Sequence, residues 1–122
     1  MNQNFMYLVF KDNYLHLIVD GEDLEKFHQN HEIEESVVIG HAAGDKFIFA
    51  LRTNYSYEKL HVNLIANELQ ISLPKALAQD WVEGKVPMIE RVLDVGEGRE
   101  LTLKISREPM EEVNEFMEAQ SE

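Results

Sequence analysis

The stretch Leu60-His61-Val62-Asn63-Leu64-Ile65-Ala66-Asn67-Glu68-Leu69-Gln70-Ile71-Ser72-Leu73-Pro74 decides how this chain folds. In an extended backbone Leu60, Val62, Leu64 and Ala66 share one face, and His61 and Asn63 share the other, with Ile65 as the exception. After Ala66-Asn67-Glu68 the alternation resumes, with Leu69, Ile71 and Leu73 on one side and Gln70 and Ser72 on the other. Two alternating runs around a short polar break read as a β-hairpin. The proline that closes the stretch suits the start of a helix.

The same pattern recurs outward from this hairpin. Leu101, Leu103 and Ile105 alternate with Thr102, Lys104 and Ser106, and Phe47, Phe49 and Leu51 alternate less cleanly. Asp12-Asn13 separates Met6–Lys11 from Leu15–Val19, and both residues tolerate a left-handed turn. Gly96-Glu97-Gly98 supplies another turn, and residues 40–45 a longer loop. One wet face per strand favours antiparallel pairing. The expected fold is α+β, with a mainly antiparallel sheet of about seven or eight strands.

Three helices complete it. The first, about residues 22–29, follows Asp20 as its cap and turns Leu24 and Phe27 inward. The second, about residues 74–83, stops at Gly84 and offers Ala76, Leu77, Trp81 and Val82 as its apolar side. The third, about residues 108–119, is amphipathic. Residues 1–107 are expected to form one domain, with 108–122 as an acidic C-terminal helix and tail. No internal repeat is visible.

Charge and composition narrow the function. Among 122 residues, 23 acidic side chains stand against 11 Lys and Arg, a net charge of -12. Such a surface repels phosphate, which argues against nucleic acid and anionic membranes as partners. Half of that charge falls in residues 108–122, with six Glu and no Lys or Arg. There is no cysteine, so disulfides, thiolate metal clusters and cysteine nucleophiles are excluded. The longest apolar run, residues 5–10, is far short of the ~20 residues of a membrane helix. No signal-peptide pattern opens the chain, and a cytoplasmic location is expected.

No motif supports catalysis, so no catalytic or cofactor-binding residue is assigned. His28 and His31 are the weak metal candidates, because a spacing of three places two side chains on one helical face and Glu32, Glu34 and Glu35 follow. The helix is expected to end near Asn30, which takes His31 off that face. His16 and His61 lie on polar strand faces and would meet only if their strands were neighbours. His41 sits in a loop. The C-terminal segment carries the partner-binding candidates Met110, Val113, Phe116 and Met117, at offsets 0, 3, 6 and 7. Ser106 is placed to cap that helix. Such a stripe packs on its own sheet or on a partner, where methionine makes adaptable contacts.

Two resemblances add to this. The words Ile71-Ser72-Leu73-Pro74-Lys75 and Ala78-Gln79-Asp80-Trp81 look like the strand, Pro-Lys and short helix of swapped-hairpin DNA-binding regulators, over Leu69 to about Ile105. The basic loops of those proteins are missing here. More of the chain resembles an uncharacterised bacterial family of short proteins classed as a domain of unknown function. The shared words are Asp12-Asn13-Tyr14-Leu15-His16-Leu17, Glu22-Asp23-Leu24-Glu25-Lys26-Phe27, Ile33-Glu34-Glu35, Phe49-Ala50-Leu51, Leu73-Pro74, Ala78-Gln79-Asp80-Trp81 and Leu101-Thr102-Leu103-Lys104-Ile105. They run in order over about residues 11–107, although His16 and Ile18 replace the family's strand arginines and its Lys-Asp-Phe ending is missing. The resemblance implies a small bacterial α+β protein and no known activity.

The function these readings favour is a non-enzymatic protein-interaction module of the adaptor, inhibitor or immunity type. Its partners would be proteins, a second copy of the chain among them. The alternatives are a small metal- or histidine-dependent enzyme or ligand-binding protein, and a swapped-hairpin transcription regulator.

Overall fold

A computed structural model describes residues 6–56 and 59–107. The C-terminal stripe of Met110, Val113, Phe116 and Met117 lies outside the described residues. Along the chain the elements are β1 (Met6–Lys11), β2 (Tyr14–Val19), α1 (Gly21–Asn30), β3 (Glu32–Val38), β4 (Lys46–Asn54), β5 (His61–Ile65), β6 (Glu68–Pro74), α2 (Lys75–Val82), β7 (Ile89–Gly96) and β8 (Arg99–Arg107).

The expected strands and the first two helices are present, but not the expected sheet. Two four-stranded sheets form, in the orders β1-β2-β8-β7 and β3-β4-β6-β5. Both are mixed, because two antiparallel hairpins lie side by side through second strands that run parallel, β2 with β8 and β4 with β6. Alternation marks a strand and its wet face but carries no information about its neighbour, so the pairing was beyond it. The sheets belong to two compact units. Among the described residues, one comprises 6–24 and 86–107, the other 25–56 and 59–85.

Each half of the chain runs hairpin, helix, hairpin, and each sheet takes one hairpin from either half. The register matches at a fixed interval. Leu17 pairs with Ile105 in the first sheet, and Ile71 with Leu51 in the second, each residue displaced by 54 positions. Buried positions follow the same interval: Leu15, Leu17 and Val19 answer to Leu69, Ile71 and Leu73, and Phe27 to Trp81. An internal repeat therefore exists where none was visible in the sequence. Over β1–β2 and β5–β6 only Asn13/Asn67 and Leu15/Leu69 are identical, so burial and register carry the likeness and identity does not.

Local chemistry explains the junctions. The β1–β2 turn holds Asp12 and Asn13 at φ 51° and 59°, the left-handed pair of a tight hairpin. Asp20 caps α1 as expected, its Oδ1 accepting from the Asp23 amide at 2.8 Å. Phe27 on α1 is buried, whereas Leu24 is only half-buried. In the second unit α2 lies along β4 and β6 and buries Ala78 and Trp81. The Trp81 and Phe27 rings meet edge-on, centroids 6.0 Å apart. Full burial of side chains this large contributes roughly 1.5–3 kcal/mol each.

Candidate functional site

Beside Phe27 the second unit holds a cavity of about 210 Å3, lined by residues of α1, β4 and α2 and the turns beside them. On α2, Lys75, Ala78, Gln79 and Val82 fall at intervals of three and four, so they share one helical face and form one wall. Phe27 contributes from α1, with His28 exposed beside it. Thr53 and Tyr55 come from the end of β4 and the residue after it.

His31 closes the ring. It leaves α1 in the left-handed region, at φ 65°, as its amide donates to the Phe27 carbonyl at 2.7 Å. Its carbonyl accepts from the Thr53 amide at 2.9 Å, which ties the helix end to β4. Its imidazole stands edge-on to the Tyr55 ring, centroids 5.8 Å apart. The Lys75 ammonium sits 5.6 Å from the centre of that tyrosine ring, within cation–π range.

The carboxylate at this site is already engaged. Glu83 accepts from Gln79 Nε2 at 3.2 Å and pairs with Lys85 Nζ at 3.2 Å. The Gln79 hydrogen bond, then Lys85, and finally the field of His28 hold its carboxyl below the usual range.

A model of a family of unknown function, DUF7009, matches residues 6–118. The chain belongs to that family. A comparison with characterised proteins found no match. DUF7009 membership confirms the expected likeness to an uncharacterised family and brings no activity with it, so the function of this member has to be argued from its own surfaces.

The structure brings the two histidine candidates to one cavity, although the left-handed turn takes His31 off the helical face, as the spacing against the helix end predicted. Among the described residues no group of three or more His, Asp or Glu side chains gathers in a way that could hold a metal ion. His16 and His61 lie in different sheets, so the condition for their meeting, that their strands be neighbours, is not met. Nor is His16 exposed. It is buried, and a hydrogen bond of 2.7 Å joins its Nε2 to Ser106 Oγ. Ser106, expected as a helix cap, lies inside β8 instead. Lys75 and Tyr55 escaped the sequence reading. The three-and-four spacing from Lys75 to Val82 was a usable signal for one wall, but nothing in sequence links it to Tyr55.

A second feature is an apolar end of the second sheet. Val37 and Val38 of β3, with Ile39 beyond, and Leu64 and Ile65 of β5 are 49–75% exposed. In register, Ser36, Ile48, Glu68 and Ile65 form one row across the sheet, which puts both groups at the same end with Phe47 and Ile48 of β4 between them. Glu32, Glu34 and Glu35 precede the valines on β3.

Proposed function

We propose that this protein is a non-enzymatic protein-interaction module of the adaptor, inhibitor or immunity type, acting in the cytoplasm on a partner that presents apolar side chains framed by Lys and Arg. One observation carries the reading: five large aliphatic side chains stand exposed at one end of the second sheet, next to a strand rich in glutamate. Scattered exposed apolar residues are ordinary, but a grouped set with a charged margin is the pattern of a docking surface. The net charge of -12 complements a basic partner and would speed its approach. In this reading Met110, Val113, Phe116 and Met117 supply a second apolar contact. The same charge weighs against the DNA-regulator alternative.

The test pairs purified chain with the protein that cross-links to it in its source cells. A complex reconstituted from the two components should weaken about tenfold or more in a Val38→Glu, Leu64→Glu double variant, and weaken as salt rises. Unchanged affinity in a folded double variant would remove this end of the sheet from the interface.

A further inference from the structure

We propose that the cavity beside Tyr55 is a binding site for a small organic monocarboxylate with an apolar, preferably aromatic, body. The site is built for one negative charge at its rim. Lys75 has no carboxylate ion-pair partner among the described residues and rests instead on the face of Tyr55. An exposed cation–π contact contributes only about 0.5–1 kcal/mol, so an incoming carboxylate gains a donor that is barely committed. His28 and His31 stand on the same rim, and neither ring is held by a carboxylate hydrogen bond among the described residues.

Glu83, which would repel an anion, is occupied by Gln79 and Lys85. This leaves the rim with an unpaired positive charge. The apolar part of the lining comes from Phe27, Ala78, Val82 and the Tyr55 ring. The volume of about 210 Å3 is below the roughly 300–1,000 Å3 of drug-sized pockets, so a single ring with a short acid arm is the right scale. Inorganic phosphate suits the site poorly, because it has no apolar body to bury and no arginine fork is present to grip it.

The experiment titrates the full chain with 3-phenylpropionate and follows backbone amide signals by NMR. 3-Phenylpropanol and inorganic phosphate serve as controls. Saturable shifts centred on Phe27, His31, Tyr55 and Lys75 are expected, with affinity at least about tenfold weaker for the alcohol and for phosphate. Lys75→Met should lower the affinity by about tenfold or more. Lys75 is exposed, so the fold should be unaffected. Ala78→Leu, which fills the cavity from its wall, should abolish binding while Lys75 stays in place. Absence of saturation up to about 10 mM, equal binding of the alcohol or of phosphate, or undiminished binding by folded Lys75→Met would each overturn the assignment.

Discussion

Ser106 in the first sheet and Arg52 in the second hold matching register positions, opposite Ile18 and Ser72 respectively, yet one is sealed and the other half open. Ser106 is fully buried and hydrogen-bonded to His16, whereas Arg52 is 35% exposed and held by Glu32 at 3.2 Å and Glu68 at 3.8 Å. The difference follows the strands beside them. Five consecutive residues of β2, Leu15 to Val19, are buried, so both faces of that strand are out of water. On β6 the matching run is interrupted by Gln70, which keeps partial exposure. One backbone plan thus accepts either a buried hydrogen-bonded pair or a solvated ion pair, depending on whether the second face is covered.

The largest effect that tests this contrast is expected at the buried pair. Ser106→Ala removes the Nε2 partner of His16 in a dry interior and should cost about 1–3 kcal/mol, read by urea unfolding. Arg52→Ala should cost under about 1 kcal/mol, with the difference shrinking further in high salt. Equal costs would mean that the two sheets do not differ in the way their burial says.

The two hairpin turns give a smaller contrast. Asp12 and Ala66 hold matching positions, at φ 51° and 54°. Aspartate tolerates this left-handed backbone, and alanine does so poorly. Ala66→Gly should therefore stabilise the protein by up to about 1 kcal/mol, after the extra chain entropy of glycine is set against the relieved strain. Asp12→Gly should be near neutral or destabilising. Thermal unfolding of both variants side by side decides it.

The smallest effect concerns Glu83, the carboxylate at the cavity of the second unit. Because its carboxyl is held below the ordinary 4.5, its ionised form favours the folded state above that value. The contribution is lost as pH falls through the lowered pKa. Gln79→Ala should move the Glu83 titration upward toward the ordinary value, followed by side-chain NMR, with little change in melting temperature at neutral pH.

These contrasts also show what was legible in the sequence. Strands, turns and the first two helices follow from alternation, Asp12-Asn13, Asp20 and Pro74, all of which act locally. Division into two sheets was not legible, since β2 finds β8 and β4 finds β6 across intervening chain that leaves no mark on either strand. His16 was assigned to a wet face because alternation counts only one buried side, and β2 has two. At the cavity, His28 and His31 stood out by residue type. Their neighbours Tyr55 and Lys75 did not, because an aromatic after a strand and a lysine after a proline are each ordinary alone.

From loop-closure entropy, the pairing of second strands also predicts an order of folding. Leu51 and Ile71 are separated by far less chain than Leu17 and Ile105. Closing the shorter loop first saves about 1 kcal/mol of chain entropy, and once it is closed the longer one has less free chain left to restrain. The parallel contacts are therefore nested like brackets, the inner pair set before the outer.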